Sequence, residues 1–233
     1  MTCIPNKVNI DLFEILKVIG RGSFGKVFLV RHKESLKLYA MKSLRKENFK
    51  NDKDKNNWLI ERIILEKLKS NFVVQLHYAF QTPDKVYFVL DYMQGGDLFY
   101  HLLKNKRFSA SRVKFYIAQW VLALNDMHEK GIIYRDMKLE NIMLDSKGNI
   151  KITDFGLSHL VAKNLNIAQD LENNNSRELA YSFVGTPEYL SPEVIKGTGY
   201  TWSTDWWSLG AIMYEMLAGN SPFYDANVDK WLK

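Results

Sequence analysis

The densest chemistry in the chain lies in one run, Tyr134-Arg135-Asp136-Met137-Lys138-Leu139-Glu140-Asn141. An aspartate and an asparagine five positions apart on a short loop can divide a transfer reaction between them. Asp136 orients an attacking hydroxyl and accepts its proton, while Asn141 offers an oxygen to a metal ion. Lys138 between them can neutralise a phosphate as its charge moves toward the acceptor, a task that a bland surface turn would not need. Thirteen residues after Asn141 stands Asp154-Phe155-Gly156. Its carboxylate can chelate Mg²⁺ through a hard oxygen and its glycine lets the backbone turn sharply, although alone the triplet also reads as a strand-end turn.

Upstream, Gly20-Arg21-Gly22-Ser23-Phe24-Gly25-Lys26-Val27 puts glycines where a strand-turn-strand brings backbone amides against phosphates without Cβ hindrance. Val27 fits a residue that covers a flat base. By itself the spacing is also that of a hairpin turn, or of a dinucleotide fingerprint if a helix follows; here a strand pattern follows. Lys42 closes the run Leu38-Tyr39-Ala40-Met41, where a lysine is commonly a solvated edge charge. Glu61 on the next apolar helix changes that reading, because a lysine reaching phosphates needs a carboxylate to hold it. Glu66 competes for the role but falls on the exposed face. Farther on come Gly185-Thr186-Pro187-Glu188-Tyr189-Leu190-Ser191-Pro192-Glu193 and then Asp205, which opens an apolar helix and reads as an N-cap, with a role in the site compatible with that.

The elements that must position these residues change character along the chain. β-Branched and aromatic runs predict strands over residues 13–19, 27–30, 38–41, 73–76 and 86–92, with one apolar-periodic helix over 58–69. After Gln94-Gly95-Gly96 the period becomes helical, which places a hinge near Gly95. One helix is predicted over 113–127, opened by Ser109 or Ser111 and closed by Gly131; another over 205–217 ends at Gly219 ahead of Pro222. The polar stretch 162–177, with Asn173-Asn174-Asn175, is predicted to be a mobile loop.

Of the 233 residues 46% are hydrophobic and 25% charged, enough apolar content for one or two cores. The net charge of +6 is modest, and the basic stretch 42–55 lacks the aromatic interleaving of a nucleic-acid platform, so it reads as a solvated face and no nucleic-acid partner is expected. Cys3 is the only cysteine, no run has membrane-spanning length, Thr2 follows Met1 and the last residues are Trp231-Leu232-Lys233. These features lead to the expectation of a cytoplasmic or nuclear protein without a lipid anchor or membrane span.

In their order (glycine-rich loop, strand lysine, helix glutamate, catalytic loop, Asp-Phe-Gly, Pro-Glu closure) these signals resemble the eukaryotic protein kinases over residues 13–223. Tyr134 in place of the usual His, Lys138-Leu139-Glu140-Asn141 and Gly185-Thr186-Pro187-Glu188-Tyr189 resemble the AGC group of Ser/Thr kinases, whose members include protein kinase B, ribosomal protein kinase and cAMP-dependent kinase. The resemblance implies a two-lobed α+β fold: a small antiparallel β-sheet lobe with one regulatory helix over residues 13–93, and a mainly helical lobe over 94–233. It implies ATP and Mg²⁺ as cofactors. Lys42 and Glu61 would pair over the α- and β-phosphates, Asp136 would be the base, Asn141 and Asp154 would hold two Mg²⁺ ions, and Lys138 and Thr186 would flank the transfer. Gly20 through Val27 would cover the nucleotide; Ala40, Leu90 as gatekeeper, Asp91 and Met93 as hinge contacts, Asp97 and Met143 would surround its nucleoside.

The same resemblance makes Leu65, Leu76, Tyr134 and Phe155 a stacked hydrophobic spine. It gives Asp97, Glu140 and Glu215 the task of binding Arg upstream of the acceptor in protein substrates, and makes Ser182 the site of an upstream activating kinase, with Arg135 pairing the added phosphate. His159, where relatives often have Lys, is expected to be charged beside that phosphate and to act more strongly as pH falls. His128 reads as a packed structural residue. The family's helical lobe normally continues past Phe223, so the chain is expected to be a fragment, with the apolar faces of 113–127 and 205–217 partly uncovered; a nucleotide-binding scaffold or inhibitor without activity is the alternative function.

Overall fold

The computed structural model describes residues 8–22, 25–49, 52–161 and 179–223. Five antiparallel strands form the first part: β1 (Phe13–Gly22), β2 (Gly25–His32), β3 (Leu38–Arg45), β4 (Leu76–Gln81) and β5 (Lys85–Asp91), in the order β1-β2-β3-β5-β4. Strand β5 shows why this sheet is stable. Its side chains alternate, Val86, Phe88 and Leu90 joining the main core while Tyr87 and Val89 join a second cluster with Phe13, Val30, Tyr39 and Met41 on the other face. Both faces are therefore covered, and the strand reads as an unbroken apolar run.

Helix α1 (Asp52–Lys67) packs Ile64 and Leu65 into the main core under the sheet, and Leu68 just after it joins them. The expectation of a strand over 73–76 is corrected: strand β4 starts at Leu76, and Val73 instead makes a parallel bridge to Ile152. Val73 and Val74 are buried, so their β-branched character serves the core between the two parts of the molecule rather than the sheet.

After β5 the chain passes through a short connection to a three-stranded sheet of β6 (Gly96–Asp97), β8 (Ile142–Leu144) and β9 (Ile150–Ile152), and a two-stranded pair of β7 (Ile132–Ile133) and β10 (His159–Leu160). Helix α2 (Leu98–Asn105) is capped by the Asp97 carboxylate, and α3 (Ala110–His128) by Ser109, the first of its two candidate caps. The short α4 (Pro192–Lys196) precedes α5 (Ser203–Ala218), which ends at Gly219 in the left-handed conformation. The core continues without a break from the sheet through Trp120, Leu124 and Met127 of α3 to Ile212 and Met216 of α5. Among the described residues, Phe115 and Leu122 of α3 and Trp206, Trp207, Met213 and Tyr214 of α5 stand 40–52% exposed. The predicted loop 162–177 lies outside the described residues.

Candidate active site

A cavity of about 470 Å³ opens between the glycine-rich turn and the loops that follow α3. That volume suits a nucleotide-sized ligand. Gly20, Arg21, Gly25, Lys26 and Val27 line one wall, Lys42 and Glu61 the back, and Asp136, Lys138 and Asp154 the floor. Gly22 closes the β1–β2 ladder opposite Gly25, while Ser23 and Phe24 lie outside the described residues. Gly25 has a steric reason for its identity: a Cβ there would collide with the backbone carbonyl of Ser43 on β3.

Lys42 projects from β3 and its ammonium lies 2.7 Å from Glu61 and 3.0 Å from Asp154. Burial works against its charge, but the two carboxylates outweigh that and hold its pKa above the ordinary lysine value. Glu61 is only 3% exposed, and burial pushes its pKa up against the pull of Lys42. Asp154 is 48% exposed and is held below the usual carboxylate range, chiefly by Lys42. The competing Glu66 pairs instead with Arg62 on the exposed face of α1.

Asp136 and its neighbours form a second, interlocked set. Lys138 Nζ donates to Asp136 Oδ2 at 2.9 Å, Thr186 Oγ1 donates to Oδ1 at 3.2 Å, and Asn141 Nδ2 donates to both the Oδ2 and the backbone carbonyl at 2.9 Å. The asparagine amide nitrogen is thus spent on Asp136, which leaves its side-chain carbonyl as the donor for a hard cation. Among the described residues no cluster of three or more His, Cys, Asp or Glu could cage a metal. A Mg²⁺ ion bound by one carboxylate, here Asp154, with Asn141 and phosphate oxygens completing the shell, fits this sparse donor set.

Two of the four described non-glycine residues with positive φ lie in this site. Arg135 has φ 67° and Asp154 φ 58°, left-handed conformations that non-glycine residues adopt only when held. Asp205 holds the first of them. Fully buried, it accepts hydrogen bonds from the Tyr134 and Arg135 amides at 2.9 Å each and from His128 Nε2 at 2.8 Å. The N-cap expectation for Asp205 is therefore corrected: α5 begins two residues earlier, and the carboxylate is directed to the catalytic loop instead. His128 is the packed residue expected, with its ring edge on Trp206.

The remaining predicted residues stand outside the cavity lining. Leu90 and Met93 are buried in the main core, Ala40 pairs with Leu90 across the ladder, and Met143 pairs with Asp97. Asp97 uses its carboxylate on the Tyr100 amide. Of the spine set, Leu65, Tyr134 and Phe155 are fully buried, with the two rings edge to face at 5.4 Å, and Leu76 lies partly buried against the same main core. Sequence reading missed Phe49 and Trp58, which stack at 6.1 Å and line the cavity beside Glu61. Phe49 follows the 3₁₀ turn Lys46–Asn48 and Trp58 belongs to α1, so no single periodicity links them.

Ser182 meets Arg135, whose Nη1 donates to its hydroxyl at 2.8 Å; the same guanidinium binds the Leu157 and Ser158 carbonyls and the Tyr200 hydroxyl. With Ser182 unmodified, burial and the Arg135 charge depress the His159 pKa to about 4; the charged ring expected beside a phosphate belongs to the phosphorylated state.

The protein kinase domain family matches residues 13–233. The chain belongs to that family. It is 50% identical to Protein kinase 2 of Dictyostelium discoideum over 94% of this chain and 43% of that protein. Against the Serine/threonine-protein kinase YPK1 of Saccharomyces cerevisiae the identity is 46%, over 97% of this chain and 32% of the relative. Against human Ribosomal protein S6 kinase alpha-3 it is 49%, over 93% and 28%. The names of the second and third of these relatives carry Ser/Thr kinase or S6 kinase activity for those proteins, and the chain spans less than half the length of all three. ATP and a divalent metal, generally Mg²⁺, are the cofactors of the family. No helix among the described residues is long and apolar enough to cross a membrane.

Proposed function

We propose that this chain is a catalytic domain that transfers the γ-phosphate of ATP to Ser or Thr hydroxyls in basic sequence contexts and is activated by phosphorylation of Ser182. The observation that carries the first part is the convergence on one cavity of the Lys42–Glu61–Asp154 ion pairs and the Asp136–Lys138–Thr186–Asn141 hydrogen-bond set. Bound Mg²⁺·ATP supplies the transferable phosphoryl group. Lys42, fixed by Glu61, orients the phosphates; Asp136, steadied by Thr186 and Asn141, orients the acceptor hydroxyl and takes its proton; Lys138 offsets the charge that develops during transfer. The boundary between the lobes falls at residues 93/94 in this reading.

The basic-context preference rests on a group of carboxylates. Glu215 is buried beneath Tyr189, whose hydroxyl donates to it at 2.7 Å, and burial with the charges of Glu140 and Glu188 pushes its pKa up. Glu188 is raised in the same direction by burial and by Glu140. Carboxylates that repel one another favour a guanidinium between them. Activation by Ser182 rests on Arg135: a phosphate there would add about −1.5 to −2 charge beside a guanidinium already bound to the backbone of the Asp154 loop.

The deciding experiment is phosphotransfer from ATP, with Mg²⁺, to a Ser peptide carrying upstream Arg, compared between this chain and Asp136→Asn. A drop of about 10²–10⁴-fold in kcat is expected for the variant. Equal background from both would overturn the enzyme reading. A peptide array without upstream Arg or Lys preference would remove the substrate class, and unchanged activity in Ser182→Ala would remove the switch.

A further inference from the structure

Outside the nucleotide cavity, behind the connection between the lobes, lies a polar cluster that phosphotransfer leaves unused. Asp91 ends β5, four residues before Gly95. One of its carboxylate oxygens lies 2.7 Å from His77 Nε2 on β4. The other accepts the Gln75 amide at 3.0 Å and lies 3.3 Å from Lys151 Nζ. Lys151 belongs to β9 of the helical lobe, and its ammonium also donates to the Val73 carbonyl at 3.2 Å. One side chain of the helical lobe therefore grips both the last residue of β5 and the segment that follows α1.

The surroundings make this more than a surface ion pair. Lys151 is 19% exposed and Asp91 25%. Burial disfavours the ionised carboxyl, yet the His77, Gln75 and Lys151 contacts outweigh it and hold Asp91 below the ordinary range. Gln75 braces the same place, its side-chain amide donating to the Ser70 and Val73 carbonyls, while β9 and this segment exchange backbone hydrogen bonds through Ile152. Only residues 92–95 separate β5 from β6. Fixing Asp91 thus fixes where the connection between the lobes starts.

We infer that Lys151 is a positioning residue for nucleotide binding, acting through Asp91 to hold the backbone of residues 91–93, the connection to which the kinase reading assigns the adenine contacts. The inference rests on the kinase reading. A group that orders a short connection before the ligand arrives lowers the cost of binding, so its loss weakens affinity without touching the phosphate-binding residues.

The test is a titration of the 233-residue chain with Mg²⁺ and a fluorescent ATP analogue, alongside thermal unfolding without nucleotide. Lys151→Met is expected to weaken binding roughly threefold to tenfold at temperatures where it remains folded. Lys151→Arg should restore most of the loss, and Lys151→Met combined with Asp91→Asn should bind no worse than Asp91→Asn alone. Should Lys151→Met fail to fold, Asp91→Asn alone decides, with the same expected loss. Wild-type affinity in a folded variant overturns the positioning role and leaves the kinase reading standing, whereas a wild-type chain that binds no analogue overturns both.

Discussion

Replacing Asp205 by Asn removes the anchor of the catalytic loop without changing its volume. The carboxylate is 0% exposed and serves three donors, His128 Nε2 and the amides of Tyr134 and Arg135. An amide can keep one acceptor oxygen but turns an NH₂ toward at least one donor. Each buried donor left unmatched costs about 1–3 kcal/mol. The three share one carboxylate and are not additive, so the expected loss is about 3–5 kcal/mol, the range for breaking a buried charged contact. Against a total of about 5–15 kcal/mol this is a large fraction of the folding free energy. The loss should also reach function, because Arg135 sits at φ 67° only while its amide is held, and Asp136 follows it directly. Urea unfolding measures the first effect and phosphotransfer under folded conditions the second. A variant within about 1 kcal/mol of wild type with unchanged kcat would refute the anchoring argument. His128→Phe, which removes one donor and leaves the two amides paired, should cost less than half as much.

Other perturbations follow from the same geometry. Between pH 6.5 and about 4 the unfolded chain binds a proton at His159 that the folded chain does not; stability should therefore fall as pH drops through that window, by about 1–2 kcal/mol after solvent screening, and His159→Gln should flatten this component of the unfolding profile. Gly185 has φ 116°, and a Cβ there would lie 2.7 Å from the Arg135 carbonyl; Gly185→Ala should displace the catalytic loop and lower kcat about 10–100-fold in a steady-state assay. Tyr189→Phe removes the donor to the buried Glu215 and should cost about 1–3 kcal/mol in chemical denaturation.

Much of the candidate site was legible because its chemistry is local. Asp136, Lys138 and Asn141 lie within one loop, and their types and spacing already dictate that they can meet, as they do through Lys138 and Asn141 on Asp136. The strand lysine and helix glutamate were legible for a different reason: a buried lysine needs a carboxylate, and α1 offered Glu61 inside and Glu66 outside. The misread strand has a plain cause. Val73 and Val74 have strand composition but sit between the lobes, and no local pattern separates a β-branched residue in a sheet from one in a core. For His159 the residue types suggested a charge only beside a phosphate, and the burial and Arg135 contact that govern the unmodified state are tertiary.

The sequence by itself determined which side chains can bind phosphate, accept a proton and ligate a metal, since these are properties of residue types at short spacing. Tertiary structure alone decided that Asp205 turns from capping its own helix to hold a loop 70 residues upstream, that Phe49 and Trp58 wall the cavity, and that Lys151 reaches Asp91. Each of those contacts joins segments whose separation in the chain carries no periodic signal. Their meeting is set by how the sheet and the helices bury their apolar faces against one another.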